Sequence, residues 1–203
     1  MLPSSSPLKL PTRLRNCSAT VIFGVWFVAT SALGAWMVAQ HVVALPPAVF
    51  ESQAPGFKPL AWHILGADCG CSKSVAHDLA SRGPREGWAE KIYLVGNEPQ
   101  LALTLRKAGF DVEIADPENL ARSHGIQGAP WLALFSSNGK IAYSGGYATA
   151  RPGTPGSTNN EEQLMEAVAR GLVVESLPSY GCATSRALQD KLDPLRLKYS
   201  STP

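Results

Sequence analysis

The hydrophobic pattern divides the chain into a long apolar stretch near the N-terminus and a region where short apolar runs alternate with amphipathic segments. Apolar runs of about five residues are typical of buried strands, and apolar positions three or four residues apart are typical of helices. The pattern predicts strands at Leu60–Leu65, Lys91–Val95, Asp111–Ala115, Trp131–Phe135 and Ile141–Ser144. It predicts helices at Cys71–Ala80, Pro99–Ala108, Pro117–His124, Asn160–Gly171 and Arg186–Leu192. Alternating strands and helices that end in a hairpin at Asn138-Gly139 predict a three-layer α/β fold, with a central mixed sheet covered on both faces.

The apolar N-terminal stretch predicts one transmembrane helix over residues 17–45. No Lys, Arg, Asp or Glu occurs between Asn16 and Phe50, and about 20 apolar residues cross the hydrocarbon core as a helix. No acidic residue precedes Glu51, whereas basic residues precede the stretch at Lys9, Arg13 and Arg15. The positive-inside rule therefore places the N-terminus in the cytoplasm and the following domain in the periplasm, on a single-pass inner-membrane anchor. A cleaved signal peptide is the alternative, but its apolar region is normally only about half as long.

The length of 203 residues holds one domain of ordinary size besides the anchor. The predicted segments are a cytoplasmic N-terminus at 1–16, the transmembrane helix at 17–45, a Pro-rich tether at 46–59, the α/β domain at 60–173 and a C-terminal tail at 174–203. The net charge is only +2, and no run of Lys and Arg interleaved with aromatic residues occurs beyond the extreme N-terminus. We therefore expect no nucleic-acid partner.

Two cysteines, Cys69 and Cys71, stand between the first predicted strand and the first predicted helix of the domain. The partial positive charge and free N–H groups of a helix N-terminus stabilise a thiolate, the form that attacks disulfides and binds soft metals. The carboxylate of Asp68 acts in the opposite direction. A disulfide between Cys69 and Cys71 closes a very small, strained ring, and a strained bond is oxidising and labile, which suits catalysis better than structure. A pair of buried structural thiols is the alternative.

The motif Cys69-Gly70-Cys71-Ser72 at a strand–helix junction, followed by Gly125-Ile126-Gln127-Gly128-Ala129-Pro130-Trp131 at the start of a hairpin, resembles the thioredoxin superfamily. The additional βα unit at about 99–115 is similar to the membrane-anchored TlpA-like and peroxiredoxin-like branch. The likeness covers about residues 60–146 and implies a thioredoxin-like fold. It also implies a cis Ala129-Pro130 peptide bond, with Ala129 and Pro130 beside the thiols and presenting backbone to a substrate.

The chain departs from the family's usual Cys-x-x-Cys motif, because Ser72 stands at the fourth position and Cys71 at the third. Six residues before Cys69, where many thioredoxins bury a proton-accepting acid, this chain has His63. An imidazole exchanges protons near neutral pH, so His63 is a candidate base for the resolving thiol. A core or edge histidine bonded to the backbone is the alternative.

Cys182 is the third cysteine after the anchor and lies in Tyr180-Gly181-Cys182-Ala183-Thr184-Ser185, just before the last predicted helix. The chain resembles a small subset of exported thioredoxin-like proteins that carry a Cys-x-Cys pair and a similar Gly-Cys near the C-terminus. One disulfide leaves one of three cysteines unpaired. Cys182 is therefore a candidate resolving thiol for Cys69 or Cys71, a candidate third metal ligand, or a buried thiol where the tail docks.

These features predict a thiol–disulfide oxidoreductase in which Cys69 attacks a substrate disulfide and Cys71 or Cys182 resolves the mixed disulfide. Its expected partners are exported protein thiols or disulfides and a membrane electron donor, and no cofactor is expected. The rival interpretation is a Cu(I)-binding or delivery module of the same fold, with Cys69 and Cys71 as soft ligands and His63, His77 or Cys182 as the third. A redox-inactive interaction module is a further alternative.

Overall fold

The computed structural model describes residues 12–39, 48–56, 58–150 and 158–199. The other residues, which include most of the predicted cytoplasmic segment and positions 40–45 of the predicted transmembrane helix, lie outside the described residues. Two compact units are present, Met1–Ala44 and Leu45–Pro203. The first contains helix α1 (Thr12–Ala39). In the described part of the chain, no helix combines the length and the apolarity needed to cross a membrane, so the predicted transmembrane helix at 17–45 is not confirmed.

The described residues of the second unit form two sheets and five helices. Its strands are β1 (Leu60–Gly66), β2 (Ala89–Val95), β3 (Asp111–Ala115), β4 (Gly128–Ala129), β5 (Trp131–Phe135), β6 (Ile141–Gly145) and β7 (Cys182–Ala183). Its helices are α2 (Gly70–Arg82), α3 (Pro99–Lys107), α4 (Pro117–His124), α5 (Glu161–Ala169) and α6 (Arg186–Leu192). The main sheet has the order β3-β2-β1-β5-β6, and β4 pairs with β7 in a separate two-stranded sheet. Since β1 is parallel to β2 but antiparallel to β5, the predicted mixed central sheet is confirmed.

Both faces of the main sheet are covered by helices. Successive side chains of a strand point to opposite faces, and β1 divides its residues accordingly. Ala61 and Leu65 belong to a buried cluster that includes residues of α2, α3 and α5. Trp62 and Ile64 belong to a second cluster that includes Leu120 of α4. This arrangement is the predicted three-layer α/β architecture.

In the second unit, the ends of the predicted strands and helices agree with the observed ones to within two residues. Local chemistry explains why the ends are readable from sequence. The carboxylate of Asp116 accepts hydrogen bonds from the N–H groups of Glu118 and Asn119 and so caps α4. Gly125 ends the same helix with a φ of 70°, a left-handed conformation that glycine adopts without steric cost. Strands β4 and β7 are absent from the prediction.

The segments on either side of the α/β domain pack against it. In the predicted tether, the N–H of Val49 donates to the His124 carbonyl at 2.9 Å, and the Phe50 ring stacks on the His124 ring. In the predicted tail, the N–H of Val174 donates to the Ala142 carbonyl at 2.9 Å, and β7 pairs with β4. The described part of the tail therefore packs as part of the second unit and contributes to the surroundings of the cysteines.

Candidate active site

The sheet topology brings the cysteine motif and the proline loop to the same end of the sheet. Strand β1 leads into the loop before α2, and β5 starts antiparallel to it, with Ile64 opposite Trp131. The end of β1 therefore lies beside the start of β5, where Ala129 and Pro130 precede Trp131. The Sγ of Cys69 lies 3.5 Å from the Ala129 carbonyl oxygen. The peptide bond between Ala129 and Pro130 is cis, as the family resemblance implies.

Strand β7 brings Cys182 to the same place. Cys182 is the register partner of Ala129, the residue whose carbonyl oxygen lies 3.5 Å from the Cys69 Sγ. Close backbone approach requires Gly181, since a Cβ at this position would overlap the Ala129 carbonyl and the Pro130 ring. The hydroxyl of Ser179 donates to the Pro130 carbonyl at 2.9 Å. The tail thus lies directly on the Ala129-Pro130 backbone and places its cysteine beside Cys69.

The surroundings of Cys69 favour its thiolate. The hydrogen bond from Cys182 lowers the pKa of Cys69 most strongly, whereas burial raises this pKa. The N–H and hydroxyl of Ser72 and the N–H of Cys71 lower the pKa further, and the result is a pKa of about 5. Cys69 is the N-cap residue of α2, so these N–H groups are the free donors of the first helical turn. The pKa of Cys182 is raised, chiefly by the Cys69 sulfur that it hydrogen-bonds. Ionisation of Cys69 is therefore favoured over ionisation of Cys182.

Cys71 and Ser72 complete the cysteine motif. Cys71 is partly exposed, whereas Ser72 is fully buried and its hydroxyl accepts a hydrogen bond from the Gly66 N–H at 3.0 Å. No disulfide joins Cys69, Cys71 or Cys182 in the structure, so the predicted small ring between Cys69 and Cys71 is not formed here. The residue that the structure places against Cys69 is Cys182 from the tail.

His63 lies in a buried polar cluster, with both ring nitrogens engaged there. Its Nδ1 is 2.8 Å from the Tyr147 hydroxyl and its Nε2 is 3.0 Å from a Glu90 carboxylate oxygen. Burial raises the pKa of Glu90, but hydrogen bonds from His63 and Arg82 outweigh it and lower that pKa to about 2. Burial raises the pKa of Tyr147 well above its usual value, so the hydroxyl keeps its proton. In a neutral ring, Nε2 then donates to Glu90 and Nδ1 accepts from Tyr147.

Neither of these hydrogen-bonding contacts of the His63 ring is with a cysteine, so the role of His63 as a base for the resolving thiol stays a prediction. The alternative prediction was a histidine bonded to the backbone, whereas the observed partners of the ring are the side chains of Tyr147 and Glu90. Arg82 completes the cluster by donating to Glu90 and Glu161. Sequence reasoning missed these three charged residues, because each lies on a different element and has no motif around it.

Metal-ligand geometry occurs in the same buried cluster. Among the described residues, the group of three potential ligands within 4.8 Å of one another consists of His63, Glu90 and Glu161. The Arg82 guanidinium already places a positive charge against both carboxylates. Cys69, Cys71 and Cys182 do not form such a group, and copper binding by these three sulfurs stays a prediction.

Sequence reasoning also missed Lys198 and Tyr199. The Nζ of Lys198 lies 3.7 Å from the Cys182 Sγ. The Tyr199 hydroxyl accepts a hydrogen bond from the Ala183 N–H at 3.1 Å, and the carboxylate of Asp193 accepts from the backbone N–H groups of both residues. No local pattern links position 198 to position 182, since their contact depends on the turn after α6.

Comparison with known proteins yields structural neighbours alone. No protein-family model matches the chain, and no curated protein matches it. An uncharacterized conserved protein from Geobacillus kaustophilus aligns with a TM-score of 0.52 at 19% sequence identity, over 65% of this chain and 79% of the other. A thioredoxin family thiol:disulfide interchange protein from Chlorobium tepidum TLS aligns with a TM-score of 0.39 at 17% identity, over 62% and 97% of the two chains.

The fold is consistent with that of thioredoxin-like proteins. This assignment rests on the chain itself: the mixed sheet order, the cysteine motif at the start of α2 and the proline loop against it. The Geobacillus kaustophilus structure shares the fold and, at its level of identity, says nothing of activity.

Proposed function

We propose that the protein is a thiol–disulfide oxidoreductase in which Cys69 is the attacking thiolate and Cys182 the resolving thiol. The observation that carries this proposal is that both cysteines meet at Ala129: its carbonyl oxygen lies 3.5 Å from the Cys69 Sγ, and Cys182 is its register partner in β7. A thiolate next to a second thiol is the arrangement that disulfide exchange requires. Of the two predicted resolving residues, the geometry favours Cys182 over Cys71.

The order of the two steps follows from the lowered pKa of Cys69 and the raised pKa of Cys182. The Cys69 thiolate attacks one sulfur of a substrate disulfide; a Cys69–substrate disulfide forms, and the second substrate sulfur leaves as a thiolate. Cys182 then gives its proton to solvent, and its thiolate attacks the Cys69 sulfur. The bond between Cys69 and the substrate breaks, a Cys69–Cys182 disulfide forms, and the substrate leaves fully reduced. The protein is oxidised by two electrons, and an external dithiol must reduce it before the next cycle.

The tail controls access to the attacking sulfur. Only 2% of Cys69 is exposed, and β7 lies on the Ala129 backbone that, by the family resemblance, a substrate strand would contact. A substrate therefore reaches Cys69 when the tail moves off this edge, and Cys182 resolves the mixed disulfide when the tail returns. Tail displacement is a step of the proposed cycle.

Trapping of the mixed disulfide tests the choice of resolving thiol. In the full chain with Cys182→Ser, a disulfide-containing peptide is expected to remain attached through Cys69, because the attacking sulfur of the second step is gone. Cys71→Ser is the matched control and is expected to release the reduced peptide. Mass spectrometry of the acid-quenched proteins reads the adduct. Accumulation in Cys71→Ser with release from Cys182→Ser would assign resolution to Cys71 and overturn the proposal for Cys182.

The compartment is part of the proposal. The uncharged stretch between Asn16 and Phe50, preceded by basic residues, supports an N-terminal anchor with the domain in the periplasm. The apolar side chains of α1 from Val21 to Trp36 are more than half exposed, and exposed apolar surface of this extent marks an interaction site. The reductant would then be a membrane electron donor and the substrates exported proteins.

Fractionation of the producing cells tests this location. The protein is expected in the membrane pellet after an alkaline carbonate wash, and a protease added to spheroplasts is expected to digest the domain. Recovery of the full chain in the soluble fraction would overturn the anchor without affecting the thiol chemistry.

A further inference from the structure

We propose that Lys198 is a catalytic residue of the resolving step, in which its ammonium group stabilises the Cys182 thiolate that attacks the mixed disulfide. This inference rests on the proposed function and assigns a role to a residue that no motif of the chain includes. The observation behind it is the 3.7 Å contact between the Lys198 Nζ and the Cys182 Sγ. A cation at this distance favours a sulfur anion over a thiol.

The contact is built within the tail and therefore moves with it. Asp193 accepts hydrogen bonds from the N–H groups of Lys198 and Tyr199, at 2.6 and 3.0 Å. The Tyr199 hydroxyl in turn accepts from the N–H of Ala183, the residue after Cys182. These bonds join residues 182–199 to one another without using the sheet. When the tail leaves the edge to admit a substrate, Lys198 stays beside Cys182 and returns with it.

The need for a cation arises at the second step of the reaction. In the reduced protein, the Cys69 sulfur raises the pKa of Cys182 most strongly, burial and Cys71 raise it further, and Lys198 lowers it. Once Cys69 is bonded to a substrate, it carries no negative charge and the strongest opposing influence is lost. The charged and titratable groups that act on Cys182 are then Lys198 of the tail and Cys71 of α2, and the Tyr199 hydroxyl contacts the N–H of the next residue, Ala183. Lys198 is the cation among them, so it determines how readily Cys182 loses its proton.

The resolving step with this assistance is balanced. Cys182 gives its proton to solvent, and its electron pair forms the bond to the Cys69 sulfur. The electron pair of the Cys69–substrate bond leaves with the substrate sulfur, which takes up a proton from solvent. The Lys198 ammonium keeps its protons throughout and acts by its charge alone.

Stopped-flow kinetics with dithiodipyridine separates the two steps. The full chain with Cys17→Ser and Cys71→Ser is the common background, so that the remaining thiols are Cys69 and Cys182. Attack by Cys69 on this uncharged disulfide releases a first thiopyridone, and resolution by Cys182 releases a second, each seen by its absorbance. The rate of the second release is measured across pH in the background protein and in Lys198→Met, Lys198→Arg and Lys191→Met.

We expect Lys198→Met to slow the second release about tenfold near neutral pH by raising the apparent pKa of that phase by about one unit, without changing its high-pH plateau. Lys198→Arg is expected to restore the profile, and Lys191→Met, an exposed lysine of the same tail, to leave it unchanged. The first release is expected to be the same in all variants.

Two other outcomes decide against the proposals in distinguishable ways. The role of Lys198 is overturned if the pH profile of the second release is the same in Lys198→Met as in the background protein. It is also overturned if Lys198→Met lowers the rate equally at every pH without shifting the profile, because that result indicates a misplaced tail. A single release in the background protein, with no second phase at any pH, overturns Cys182 as the resolving thiol and with it the proposed function.

Discussion

Cys69→Ser is expected to lower the turnover of a peptide disulfide by at least about a thousandfold, because a serine hydroxyl is not ionised at neutral pH and is a far weaker nucleophile than a thiolate. The full chain is assayed in detergent with a dithiol as reductant. The stabilising donors around position 69, namely the N–H groups of Cys71 and Ser72, remain in place in this variant. A loss of rate therefore reports the sulfur itself.

The pH profile of the first step provides the control. The pKa of Cys69, lowered to about 5 chiefly by Cys182, means that the thiolate forms as pH rises through about 5 and is present at all higher pH. The rate of attack on dithiodipyridine is expected to follow this rise and then level off. Cys182→Ala removes the strongest of the hydrogen bonds that lower the pKa, so the rise is expected at higher pH. Full activity of Cys69→Ser would contradict the assignment of Cys69 as the attacking thiolate, and a profile that Cys182→Ala leaves in place would show that Cys182 does not lower the pKa of Cys69.

The main elements were predictable because local rules set them. Short apolar runs and the 3.6-residue period locate strands and helices without knowledge of the tertiary structure, and the Asp116 cap and Gly125 explain why the ends of α4 lie where they do. The cysteine motif was predictable for the same reason, since a strand–helix junction places its thiols at a helix N-terminus. The cis peptide bond before Pro130 was predicted from the resemblance to a known family.

The partners of Cys69 were not predictable, because they depend on contacts between distant parts of the chain. Strands β4 and β7 have only two residues each, too few for a hydrophobic period, and their register is fixed by the packing of Gly181 on Ala129. From the sequence, Cys182 was one of two candidate resolving thiols for Cys69. The pairing of β7 with β4 brings Cys182 beside Ala129 and so distinguishes it from Cys71. The glycine before Cys182 is the local signal that a close backbone approach occurs there.

Arg82→Met is expected to lower the free energy of unfolding at neutral pH by about 3–5 kcal/mol, because it leaves two buried carboxylates without their cation. Arg82 donates to both Glu90 and Glu161, and the side chains of these acids are 0% and 6% exposed. Arg85→Met is the matched control: Arg85 pairs with Glu162, whose side chain is 61% exposed, and loss of such a pair costs about 0–1 kcal/mol. Urea unfolding in detergent, followed by tryptophan fluorescence, measures both.

Acid should reduce the difference between the wild type and Arg82→Met. Burial raises the pKa of Glu90, but its hydrogen bonds lower it from 4.5 to about 2 in the folded protein. A lowered carboxylate pKa adds stability above the unfolded value, and that stability is lost as pH falls from about 4.5 through about 2. The variant lacks part of this contribution, so its deficit is expected to shrink over the same range. Adding Glu161→Gln to Arg82→Met removes one uncompensated charge and should recover part of the loss. Equal destabilisation by Arg82→Met and Arg85→Met would show that Arg82 does not neutralise the buried acids, because an interior pair and an exposed pair differ chiefly in desolvation.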